Sequence, residues 1–109
     1  MTTSQNTYTD IDPHAKITLH LGLQDKNGKS IDNHNLITDV LEILSYYNVH
    51  GATIRRVLGV WKEDTERSLE IVTYDDSEDL SKYADIKHEL EKTFNQHEVM
   101  VAFSEVVLL

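Results

Sequence analysis

Ala52-Thr-Ile-Arg-Arg-Val-Leu-Gly-Val-Trp61, Lys62-Glu-Asp-Thr-Glu-Arg67 and Ser68-Leu-Glu-Ile-Val-Thr-Tyr74 follow one another without a break in this 109-residue chain. The first piece is rich in β-branched residues, which suit a pleated surface. The last sets Leu69, Ile71 and Thr73 against Glu70, Val72 and Tyr74. That is the period of two of a half-buried strand. The charged stretch between them, residues 62–67, is short, so the two strands must return antiparallel as a hairpin.

Outward from the hairpin, each side shows a helix and then a strand. Upstream, Leu36, Ile37, Val40, Leu41, Leu44 and Tyr47 recur at spacings of three and four, one apolar stripe of an amphipathic helix. Asp32 or Asn33 is placed to cap it, and Gly51 to supply the left-handed turn behind it. Before that helix, Ile17, Leu19, Leu21 and Leu23 alternate strictly, with Gly22 on the opposite side, where a missing side chain permits close approach. The turn that follows, residues 25–30, centres on Asn27-Gly28. Downstream, Asp76 or Ser77 is expected to cap a second helix, with Glu78 and Asp79 suiting its positive end. Its stripe is Leu80, Tyr83, Ile86 or Lys87, Leu90 and Phe94. Tyr46, Tyr47 and the aliphatic positions of both helices read as core. Residues 98–103 form a fourth strand, Ser104-Glu105 breaks it, and residues 106–109 offer a short fifth.

The order strand, helix, hairpin, helix, strand predicts an α+β domain, a ferredoxin-like β-α-β-β-α-β sandwich. Its sheet has four antiparallel strands, with two helices on one face. Residues 1–15 are polar and aperiodic and read as a flexible arm; residues 16–109 form the domain.

A chain of this length buries roughly two thirds of its unfolded surface, enough for one core. It contains no cysteine, so it has neither disulfide framework nor thiolate metal site. The net charge of −9 and pI near 4.9 oppose binding to nucleic acid. The polar start does not resemble a secretory signal, and no apolar run approaches a membrane span. These features predict a cytoplasmic protein without nucleic-acid or membrane partners.

Four pieces carry a resemblance to a known family: Val49-His-Gly-Ala-Thr-Ile, Val57-Leu-Gly-Val, Leu69-Glu-Ile-Val-Thr-Tyr-Asp-Asp and Val99-Met-Val-Ala-Phe-Ser-Glu-Val-Val. Together they make residues 16–109 resemble the PII signalling proteins and their PII-like relatives. The resemblance implies the same fold and an association of copies, as trimer or dimer. The chain departs from the PII pattern in three places. Only residues 62–67 stand where PII proteins insert a long mobile loop. Asn95-Gln-His replaces the glycine and lysine ahead of the last strand. Val106-Val-Leu-Leu replaces the basic residues that hold nucleotide phosphate.

Arg55-Arg56 is the one basic doublet in an acidic chain. Neighbours on a strand point to opposite faces, so one arginine at most faces the helices. Either could serve as a fork for a small anionic ligand, but an ion pair with Glu70 is the favoured reading. Trp61 suits stacking on a flat ligand or anchoring an interface, and equally closing the end of the core. Lys62 and Arg67, at the ends of the charged connection, complete the basic set assigned to a ligand. The six histidines show no metal-ligand spacing. No nucleophile motif is present, and no cofactor is expected. The sequence thus favours a non-enzymatic, homo-oligomeric module that binds a small ligand or regulates a partner. Two alternatives stand beside it. One is a dimeric ferredoxin-like enzyme for small aromatic substrates, with Trp61, His20 and Tyr74 lining a pocket between sheet and helices. The other is an acidic module that binds or inhibits a basic protein.

Overall fold

A computed structural model describes residues 13–76 and 80–107, and the side chains of all but a few of these. The elements in chain order are β1 (Pro13–Gly22), α1 (Leu36–Tyr46), β2 (Thr53–Trp61), β3 (Asp64–Asp76), α2 (Lys82–Thr93) and β4 (Met100–Val107). They form the ferredoxin-like fold, one antiparallel sheet in the order β2-β3-β1-β4 with both helices on one face. Among the described residues, no helix is long and apolar enough to cross a membrane.

Register explains which face is covered. Leu19 lies opposite Ile71 on one side and Val101 on the other, and Leu21 lies opposite Leu69. These odd-numbered positions share one face, and Ile17, Leu19, Leu21, Leu69 and Ile71 are fully buried there. Leu36, Val40 and Leu44 from α1, and Tyr83, Ile86 and Leu90 from α2, close over them. Each such side chain removed from water contributes about 1.5–3 kcal/mol, so the stripe and the alternation stabilise each other.

Several local expectations are corrected. β1 starts at Pro13, ahead of the boundary placed at residue 15; proline is tolerated at a strand's first residue. The rest of the expected arm, residues 1–12, lies outside the described residues. The hairpin connection is only Lys62-Glu63, because Trp61 pairs with Asp64. Lys62 adopts a left-handed φ of 57°, which helps turn the chain within two residues. Residues 64–67 therefore extend β3, and with the end of β2 they form a two-stranded ribbon reaching past β1. β4 runs on through Ser104 and Glu105 to Val107, so among the described residues there is no break and no separate fifth strand; residues 108–109 lie outside them. As an edge strand it keeps both polar side chains in solvent, where they leave the ladder intact.

The helix ends also differ from expectation. Asn48, not Gly51, takes the left-handed position after α1, with φ 63°. Val49 N donates to Leu44 O at 2.8 Å and Asn48 N to Ser45 O at 3.0 Å, a Schellman closure. Asn95 repeats the pattern after α2, with φ 53° and Gln96 N donating to Glu91 O at 2.9 Å. Neither Asp32 nor Asn33 caps α1: Asn33 Oδ1 accepts from Asn35 N, and Asp32 pairs with Arg56. α2 begins at Lys82, so Asp76 ends β3 instead of capping it. Residues 77–79, including the expected cap Ser77 with Glu78 and Asp79, lie outside the described residues. Tyr46 and Leu41, read as core, are 80% and 48% exposed.

Candidate functional site

The face of the sheet away from the helices is uncovered by any helix, and the even-numbered residues of β1 and β3 lie on it, most of them half-buried or exposed. One row of that face carries ordered chemistry. Arg55 lies opposite Glu70, Glu70 opposite His20, and His20 opposite Met100, so the row crosses all four strands. Arg55 Nε donates to Glu70 Oε1 at 2.6 Å, and His20 Nε2 lies 3.1 Å from Glu70 Oε2. Those two contacts, His20 first and Arg55 second, hold the Glu70 carboxyl below the usual glutamate range. Facing an ionised carboxylate, His20 Nε2 carries the proton. The Glu70 side chain is only 15% exposed, and the Arg55 guanidinium against it balances its charge.

Beside this row, the base of the ribbon and the open face form a concavity of about 600 Å³. Val57, Gly59 and Met100 supply apolar surface, and Asp64, Glu66 and Glu98 supply carboxylates. No lysine or arginine is among the lining residues. Gly22 lies at the edge of this concavity. A Cβ at this position would stand 3.1 Å from Gln96 Oε1 and 3.2 Å from Glu66 Oε1. The close approach expected at Gly22 is therefore made by those two side chains, which close over the end of β1. Gln96 is anchored in turn by donating to the carbonyl of Gln24 at 3.1 Å.

The basic residues singled out in the sequence do not converge. Arg55 stands on the open face in its ion pair with Glu70. Arg56 points to the helix side, where it grips Asp32 through Nε at 3.1 Å and Nη2 at 2.8 Å, a bidentate pair tying β2 to the segment before α1. Lys62 sits exposed in the hairpin turn, and Arg67 is exposed opposite Leu58. Trp61 ends β2, but its side chain lies outside the described ones. His20 and Tyr74, expected between sheet and helices, stand on the open face instead, because core side chains fill the interior. Sequence reading missed the concavity, since only strand register brings His20 to Glu70 across 50 residues.

Two further carboxylates fasten α2. Burial alone would push the Asp75 carboxyl up, but the Lys82 ammonium and the Tyr83 hydroxyl, each 2.9 Å away, hold it low. Glu91 behaves alike, its burial outweighed by Lys87, the Val99 amide at 2.8 Å and His88. These contacts brace the helix against β3 and the start of β4 and leave the open face to the Glu70 row.

No protein-family model and no curated protein matches the chain. Solved structures do. A phage SAM lyase in complex with S-methyl-5'-thioadenosine superposes with a TM-score of 0.69 at 22% identity, over 86% of this chain and 84% of that one. CPII, a nitrogen regulatory PII-like protein from Thiomonas intermedia K12 bound to ADP, AMP and bicarbonate, gives 0.59 at 15% identity, over 91% and 96%. The phage SAM lyase in its apo state gives 0.54 at 24% identity, over 92% and 86%. The PII-like resemblance read from the sequence therefore holds at the level of the fold, which this chain shares with a PII-like protein and with a phage SAM lyase.

Proposed function

We propose that this chain is a self-associating module that binds a small, positively charged adenosyl compound on the open face of its sheet, S-adenosylmethionine being the first candidate. The observation that carries the reading is the lining of the concavity, with three carboxylates and no lysine or arginine, beside the ionised Glu70. Such a site repels the phosphates of ADP or AMP and attracts a sulfonium. Both kinds of fold neighbour were solved with an adenosine-containing ligand, which supports the adenosyl part. The volume is within the range of small-molecule sites. Arg55 belongs to this reading as the residue that positions Glu70; Arg56, on the other face, has no part in it.

Self-association rests on exposed apolar surface. Leu58 and Val60 on the ribbon are 56% and 70% exposed, and Met100 on the open face is 55% exposed. Register puts Leu58 on the helix side of the ribbon, with Arg56, and Met100 on the open face, and large apolar side chains left in water mark surfaces that a partner covers. A second copy covering Met100 would wall the open side of the concavity.

Calorimetric titration with S-adenosylmethionine, its neutral thioether S-adenosylhomocysteine, and ADP tests the reading. The sulfonium compound should bind roughly tenfold more tightly than the thioether, about 1.4 kcal/mol from one partly desolvated charge contact. Tighter binding of ADP, or no binding of either adenosyl compound, would refute it. A second reading, that the site also turns its ligand over, is favoured by one observation: the fold is shared with a phage SAM lyase solved with S-methyl-5'-thioadenosine. Chromatographic appearance of S-methyl-5'-thioadenosine, lost in Glu70→Gln while binding persists, would distinguish turnover from binding alone.

A further inference from the structure

The outer surface of the helical layer has a feature that solvation does not explain. Tyr46 and Tyr47 follow one another at the C-terminal end of α1, and Tyr46 is 80% exposed although Leu44 beside it is buried. The two rings meet edge to face, with centroids 5.0 Å apart and planes at 81°. They and Ile43 line a groove of about 390 Å³ between α1 and α2, edged by Asp39 and Glu42 on one helix and Glu89 and Thr93 on the other.

The groove is both aromatic and negative. None of its lining residues is basic. Glu89 is oriented by Thr93 Oγ1, which donates to Oε2 at 3.1 Å. The last turn of α1 holds no basic residue, so the negative end of its dipole stands uncompensated beside the tyrosines. Tyr47 registers this: burial, and after it the Glu89 and Asp85 carboxylates, raise its phenol above the usual value. Aromatic faces ringed by carboxylates hold cations.

We propose that this groove is a docking site for a basic segment of a partner protein, with a lysine or arginine laid on Tyr46 and Tyr47 and its charge between Glu42 and Glu89. Charge complementarity selects the occupant. A second copy of a chain of net charge −9 would bring like charge to the same groove, and an anionic polymer is repelled outright. The groove lies on the layer opposite the open-face site and does not depend on the function proposed there.

The test is a titration of the isotope-labelled full chain with an acetylated, amidated tetra-arginine peptide at low salt, followed by amide chemical shifts. Shifts should concentrate at Ile43, Tyr46, Tyr47 and Glu89. Tyr46→Ala, a change at an exposed side chain, should weaken binding about fivefold, and Glu42→Gln with Glu89→Gln about tenfold. Four results would each overturn the proposal: no binding up to about 1 mM peptide, shifts spread evenly over the acidic surface, unchanged affinity in Tyr46→Ala, or self-association that Tyr46→Ala abolishes, since that would make a second copy the occupant.

Discussion

Replacing Glu70 with glutamine keeps shape and hydrogen-bonding capacity and removes only charge, so it isolates what the Arg55–Glu70–His20 row contributes. Arg55 is 68% exposed at its side chain, so its pair with Glu70 is worth about 0.5 kcal/mol. Loss of charge assistance in the His20 contact adds about as much again. The sum, about 1 kcal/mol, should lower the melting temperature by roughly 4–8 °C for a domain of this size. The pH dependence gives the sharper test. Glu70 titrates below the ordinary value of 4.5 when folded, so its stabilisation is fully present above that pH and is lost as the pH falls through the folded-state value. Melts of wild type and Glu70→Gln, followed by circular dichroism from about pH 7 to about pH 3.5, should therefore draw closer together toward the acid end. A gap that stays constant across that range would mean that the variant fails through packing, and the electrostatic account of the row would be wrong. A double-mutant cycle with Arg55→Met should return about half of the loss as coupling.

Three other outcomes are expected. Asn48→Gly should raise the urea midpoint by the equivalent of a few tenths of a kcal/mol to about 1 kcal/mol and Asn48→Ala should lower it, because the left-handed φ of 63° is easier for glycine and harder for alanine. Tyr83→Phe removes the hydroxyl that donates to Asp75 at 2.9 Å and should cost about 1 kcal/mol in chemical denaturation, with the Asp75 carboxyl titrating at higher pH by NMR. Leu58→Glu with Val60→Glu, both at exposed positions, should shift the mass in light scattering toward the monomer while leaving the circular dichroism spectrum unchanged.

The elements that pack on one another were legible. Leu69, Ile71 and Thr73 alternate because one face of β3 is dry, and Leu36, Val40 and Leu44 recur at helical spacing because one stripe of α1 is. Where nothing packs, the signal vanished. Asp64 to Arg67 form a strand in a free ribbon, exposed on both faces, so their charges read as a connection. Ser104 and Glu105 read as a break for the same reason, on an edge strand. Tyr46 reads as core because apolar character alone cannot separate a buried ring from one at the edge of the stripe. The pairing of Arg55 with Glu70 could be read from hairpin proximity. His20 and Met100 join that row only through register with β1 and β4, which no local pattern encodes.

The hairpin turn has a mechanical consequence. With two residues at its tip and a continuous ladder down both sides, the ribbon has no joint at which to refold. Whatever settles at its foot can move it only as a stiff lever, rotating about the sheet that anchors it. Any message it passes on would take the form of a change in how neighbouring copies sit against each other, not of a loop changing shape.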